Sequence, residues 1–210
     1  RQEGMLMPLN KAKLSAMRSI GSHWLSQAYD PSNEYSIPYL FSASGLVVNQ
    51  RYYNAEQLTR WDVLWQKRFK NKLLLLDDVR ELFSIAFLVL GFSPNTQNPK
   101  EIHQAYEKLR TLLVNIRVFN SEGTSDLYAT EELTVGMGWS GDVYRANKIN
   151  PDIQFIYPEE GYILSVDNLA IPKGAKNIEP AYQFINFLLR PDIAAKISLV
   201  TGYGTTHTGA

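Results

Sequence analysis

Cysteine is absent from the 210-residue chain. That excludes disulfides, thiolate metal sites and cysteine nucleophiles. Excess charge of either sign is also absent: 21 Lys and Arg stand against 21 Asp and Glu, a formal net charge of zero. The balance removes the electrostatic footprint of a general nucleic-acid binder, although local charged sites remain open. No apolar run approaches the ~20 residues that a membrane-spanning helix needs. Histidine is sparse; His23, His103 and His207 are far apart, and no G-x-S-x-G elbow occurs. Neither a histidine metal site nor a Ser-His-Asp triad is expected. No signal peptide is seen, and the chain begins at Arg1 rather than Met, which predicts a processed or truncated product.

What is present is ordinary globular material, 45% apolar and 20% charged, long enough for one large or two small domains. The first forty residues are turn-rich, with signals at Asp30-Pro31-Ser32-Asn33 and Ile37-Pro38-Tyr39, before a strand over Gly45 to Val48. Thr59 is placed to cap a short helix carrying Trp61, Leu64 and Trp65. Leu73 to Leu76 reads as a strand buried on both faces. A helix over 79–90 should stop at Gly91. In a second helix Asn98 caps, Pro99 takes the first position and Glu101 completes a capping-box-like arrangement. Ile102, Ala105, Tyr106, Leu109, Leu112 and Leu113 form its apolar stripe. Short strands are expected at Arg117–Phe119, Leu133–Met137, Gln154–Tyr157 and Tyr162–Ala170. A late helix presents Ala181, Phe184, Ile185, Leu188 and Leu189 on one face, and Pro191 opens another. Strands alternating with helices predict an α/β architecture.

Three places could carry chemistry. In "LLLLDDVRELF" four leucines end in acid, and Asp78 and Glu81 fall at the junction of strand and helix. The pair fits a helix cap, which favours carboxylates at the positive helix end. It equally fits a site at the carboxyl edge of a sheet, where open α/β folds bind ligands. "GMGWSGD", Gly136 to Asp142, matches G-x-G-x-x-G, with Glu159 or Glu160 near the spacing of a ribose-binding acid. That opens the reading of a NAD-type dinucleotide-dependent oxidoreductase using Gly136 to Gly141. Against it, Trp139 sits where a pyrophosphate must approach and little helix precedes Pro151. Glycines serving a tight turn, or Trp139 offering its face to a ligand, are the other readings. Asp167 lies within the hydrophobic strand segment "YILSVDNLAIP", where a carboxylate must be hydrogen-bonded, paired or solvent-facing.

In order and spacing, "YSIPY", "LLLLDDVRE", "FNSEG", "GMGWSGD", "DNLAIP" and "FINFLLRPDIAAK" run the length of the chain. With these motifs the sequence resembles the spermidine/putrescine-binding proteins that serve ABC transporters, within the extracytoplasmic solute-binding proteins. The resemblance implies a periplasmic-binding-protein-like fold of two α/β lobes joined by crossing strands and closing on a ligand. It implies one nearly complete lobe here, residues 42–163, with parts of the other in residues 1–41 and 164–210. The family's N-terminal portion and C-terminal tail are missing. It further implies that Asp78, Glu81 and Asp167 hold ligand amines, Ser121 supplies a polar contact, and Trp139 and Tyr203 wall the aliphatic chain. Ser165 stands where many members carry a tryptophan, a loss that widens the pocket or weakens stacking. The implied protein is periplasmic, uses no cofactor, performs no chemistry on its polyamine and delivers it to a membrane permease. A diverged receptor for another organic cation is the remaining alternative.

Overall fold

The computed structural model describes residues 3–208. These residues fall into two compact units, one made of residues 3–42 and 165–208 and the other of residues 43–164.

The 43–164 unit is built on a mixed sheet. Its strands are the C-terminal part of β1 (Ile37–Asn49), β2 (Leu73–Leu75), β3 (Ile116–Phe119), β4 (Val135–Trp139) and β5 (Ile153–Ile156), ordered β3-β2-β4-β1-β5. β2 runs parallel to β3 and β4, whereas β1 is antiparallel to β4 and β5. The leucine run of β2 is explained by this central, parallel position. Successive side chains point to opposite faces: Leu73 and Leu75 enter the core that holds Trp61, Phe69, Ile85 and Met137, and Leu74 enters the core around Tyr128 and Val143. Both faces are dry, so no polar residue alternates with the leucines.

Helices α1 (Val79–Leu90), α2 (Pro99–Leu112), α3 (Thr124–Ala129) and α4 (Ser140–Ile149) cover the sheet. The expected ends of α1 and the start of α2 are observed. Asp78 caps α1 by accepting from the Glu81 amide at 3.0 Å, and Gly91 ends it in the left-handed region at φ 76°. Asn98 accepts from the Lys100 amide, and its side-chain amide donates to Glu101. The stripe of α2 is only partly covered: Ala105 and Leu112 are buried, but Ile102 and Tyr106 are exposed. Leu113 is exposed as well and starts a 3-10 turn rather than continuing the helix.

Two local expectations fail. Ile37-Pro38-Tyr39 is no turn but the start of β1, where a proline near a strand end removes one donor without breaking the ladder. Its carbonyl is used instead, accepting from the Thr206 hydroxyl at 3.1 Å. Thr59 does not cap the segment after it. Residues Trp61–Trp65 form a 3-10 helix with no side-chain cap from the preceding residue. The Thr59 hydroxyl donates to Glu159, and the Glu160 carboxylate accepts from the Trp61 and Asp62 amides.

The other unit packs α5 (Ile178–Leu188) with the N-terminal segment around Leu9, Leu14, Ile20, Ile37, Tyr182, Ile185 and Leu189, and α6 (Pro191–Thr201) follows α5 and buries Ala194. The buried face of α5 is therefore carried by Tyr182 and Ile185, and Phe184, placed on that face by the sequence pattern, is 60% exposed. The Tyr182 hydroxyl accepts from the Asn10 amide at 2.7 Å. The short strand β7 (Gly204–Thr205) pairs with β1 at Leu40 and Phe41, and β6 (Ile163–Leu169) also pairs with β1.

Candidate ligand-binding site

The parallel arrangement of β2, β3 and β4 decides which residues of the 43–164 unit meet. All three strands end at the same sheet edge. Asp78 and Glu81 follow β2, Ser121 follows β3, and Trp139 is the last residue of β4. The Asn120 amide donates to the Leu75 carbonyl at 2.9 Å, which ties the ends of β2 and β3 together. β1 runs the opposite way and brings Ser44 directly opposite Trp139.

Glu81 is the centre of this edge. It lies in the first turn of α1 and is 6% exposed. The Ser44 hydroxyl donates to its Oε1 at 2.8 Å, and the Trp139 indole Nε1 makes a longer contact of 3.5 Å to the same oxygen. Oε2 is buried with no hydrogen-bond partner. Burial pushes the Glu81 carboxyl above its ordinary value, and the charge of Asp78 adds to the rise; Ser44 and Trp139 oppose it. The buried Ser121 hydroxyl is likewise without a partner. Asp78 is exposed, and its carboxylate already accepts one backbone hydrogen bond as the helix cap. Capping and the edge position thus coincide in one residue. Trp139 is half-buried and packs against the larger core.

The chemical character of this sheet edge is acidic with an aromatic side. Two carboxylates, one with an unsatisfied oxygen, and an indole suit a cationic group far better than an anion. Ser44 was not among the residues singled out from the sequence. Its role depends on the β1–β4 register, and a serine one position ahead of the strand expected over Gly45 to Val48 carries no distinguishing signal.

Asp167, Ser165 and Tyr203 belong to the other unit. Asp167 and Ser165 are two apart on β6 and so share a strand face. Asp167 has no hydrogen-bond partner among the described residues, and partial desolvation raises its carboxyl above the ordinary aspartate value. Tyr203 follows the left-handed Gly202 that ends α6, and its carbonyl accepts from the Ser198 hydroxyl at 2.6 Å.

The glycine motif does not form a phosphate loop. Gly136 and Gly138 lie inside β4, paired with Val47 and Gly45 of β1, and α4 begins immediately after Trp139. A Cβ at Gly138 would meet Val47 at 2.9 Å, so close strand packing requires the glycine. Glu159 and Glu160 are engaged with Thr59, Arg60 and the 3-10 helix they anchor. The dinucleotide reading therefore loses both its turn and its acid.

Comparison with known proteins gives a consistent result. The model of the family of bacterial extracellular solute-binding proteins matches residues 1–210. The spermidine/putrescine-binding periplasmic protein of Salmonella typhimurium is 40% identical over 210 residues, which is 100% of this chain and 60% of that protein. A protein of the same description from Haemophilus influenzae, spermidine/putrescine-binding periplasmic protein 1, is 43% identical over 209 residues, covering 100% of this chain and 58% of its own length. Among solved structures, a putative spermidine/putrescine ABC transporter from Listeria monocytogenes superposes with a TM-score of 0.92 at 30% identity, covering 98% of this chain and 64% of that one. The chain thus spans about three fifths of the length of the curated relatives it matches.

Proposed function

The chain belongs to the bacterial extracellular solute-binding protein family, and from that membership we propose that it is part of a periplasmic receptor that binds a polyamine, spermidine or putrescine, and delivers it to an ABC transporter permease. The observation that carries this reading is Glu81. A carboxylate that is 6% exposed, with one oxygen unpartnered, is costly unless a cation completes it. A ligand ammonium is such a cation, and its methylenes can lie against the Trp139 ring, where the cation–π attraction adds to apolar contact.

In this reading Glu81 and Asp78 take one amine, with Ser121 as a polar contact. Asp167 and Tyr203 are further contacts of the same ligand, and Ser165 borders them. Residues 42–163 correspond to the family's second lobe, and residues 1–41 and 164–210 to part of the first. The receptor works by capture and release and changes no bond in its ligand. Support comes from the names of the relatives, which describe periplasmic spermidine/putrescine-binding proteins, and from the acidic and aromatic chemistry of the sheet edge.

Titration calorimetry with putrescine, spermidine and NAD tests the proposal. Salt-sensitive binding of a polyamine, lost in Glu81→Gln and in Asp167→Asn, is expected. Saturable NAD binding without polyamine binding would overturn it.

A further inference from the structure

We propose that Ser44 is a positioning residue for amine capture: its hydroxyl engages one oxygen of Glu81 and so reserves the other for a single ligand ammonium. The inference rests on the polyamine-receptor reading and adds to it the device that orients the carboxylate.

Ser44 is fully buried on β1, opposite Trp139, and its hydroxyl lies 2.8 Å from Glu81 Oε1. Trp139 Nε1 points to that same oxygen at 3.5 Å. Both donors therefore converge on Oε1, and neither serves Oε2, which is buried without a partner. A carboxylate with two equivalent free oxygens could rotate and accept an ammonium in several poses. Here one oxygen is fixed from two strands, so the other has a single direction. The ammonium that meets Oε2 is held to one geometry, and the rest of the ligand takes its bearing from that contact.

The same hydroxyl also governs the charge of the site. A donor to the carboxylate favours the ionised form, and burial opposes it. Three groups act on the Glu81 carboxyl: Ser44 from β1, Trp139 from β4 and the charge of Asp78 on its own helix start, with Asp77 and Arg80 adjoining in sequence. Removing the Ser44 hydroxyl leaves burial and Asp78 unopposed except by the long indole contact. The Glu81 proton is then held more tightly, and amine binding is lost at a higher pH than in the unaltered chain.

Two measurements test this on Ser44→Ala and Ser44→Thr. The first is calorimetric titration with putrescine and spermidine across the acid-to-neutral range. Ser44→Ala should weaken binding about tenfold or more, the usual effect of losing a hydrogen bond to a charged group, and should move the acid limb of the binding profile to higher pH. Ser44→Thr keeps the hydroxyl and should restore both. The second is carbon NMR titration of the Glu81 carboxyl in the ligand-free chain, which should show the midpoint raised in Ser44→Ala and restored in Ser44→Thr. A Glu81 midpoint unchanged in Ser44→Ala, or a weakened affinity with an unshifted pH profile, overturns the positioning role while leaving the receptor reading intact. If the unaltered chain binds neither polyamine, the receptor reading falls and the proposal falls with it.

Discussion

Leu74 and Gly136 sit opposite each other across β2 and β4, so close that a Cβ on residue 136 would lie 2.1 Å from the Leu74 carbonyl oxygen. The Tyr128 hydroxyl would be met at 2.7 Å, and this hydroxyl donates to the Met137 carbonyl at 3.0 Å. No side-chain rotation relieves a clash with backbone. Gly136→Ala should therefore cost about 3 kcal/mol or more, at the upper end of overpacking effects. Urea unfolding of the variant checks this. NAD should leave the unfolding midpoint of the unaltered chain unmoved, since these glycines serve strand packing.

Glu81→Gln should separate stability from function. The folded carboxyl is raised above its ordinary value, so between the unfolded and folded pKa the native state holds more protons. Stability conferred by that proton is present at acid pH and is lost as pH rises through the folded pKa. At neutral pH the charged form is thus a burden in the ligand-free chain. Gln keeps an oxygen for Ser44 and carries no charge. Thermal melting should rise, by about 2–4 °C for each kcal/mol regained, and polyamine should no longer shift it. A lower melting temperature in ligand-free Glu81→Gln would contradict this account of the site.

Asp78 caps α1 and is proposed to hold a ligand amine, two tasks that substitution can divide. Asn caps a helix about as well as Asp, so Asp78→Asn should leave unfolding within a few tenths of a kcal/mol, while Asp78→Ala should cost about 1 kcal/mol. Both remove the charge and should weaken polyamine binding similarly. Parallel denaturation and calorimetry on the two variants test this. Equal affinity for Asp78→Asn and the unaltered chain would confine Asp78 to capping.

Asp30 should set part of the acid sensitivity of the 3–42/165–208 unit. It is 2% exposed, and burial works against its ionisation. The Tyr35 amide at 2.8 Å, the Ser36 hydroxyl and amide at 2.9 Å and the Glu34 amide at 3.1 Å outweigh that cost and hold the carboxyl below the ordinary aspartate value. The resulting stability is complete above the unfolded aspartate pKa and disappears as pH falls through the folded one. Asp30→Ala should lose about 3 kcal/mol at neutral pH, given several charge-assisted bonds. Denaturation at a series of pH values should show the difference shrinking in strong acid.

Local chemistry made much of the chain readable from its letters. A helix cap joins residues two or three apart, so Asp78, Asn98 with Pro99, and Gly91 could be placed without knowing any neighbour. The unbroken leucines of β2 announced a strand dry on both faces, because no polar residue interrupts them. The motifs shared with polyamine-binding proteins pointed to the family. Helix faces were less certain: the α2 stripe and Phe184 are apolar at the right period, yet which part of a stripe is covered depends on what packs there.

Contacts across strands were beyond sequence altogether. Thr59 looked like a cap and proved to be a partner of Glu159, and Glu160 took over the amides expected to need Thr59. Ser44 meets Glu81 only because β1 runs antiparallel to β4 in one register, and a slip of one residue would turn it to the opposite face. Residue types and spacing set the helix ends, the buried strand and the supply of acids and rings. Strand order, direction and register chose which oxygen of Glu81 is satisfied and which is left open, because those are properties of segments meeting in space.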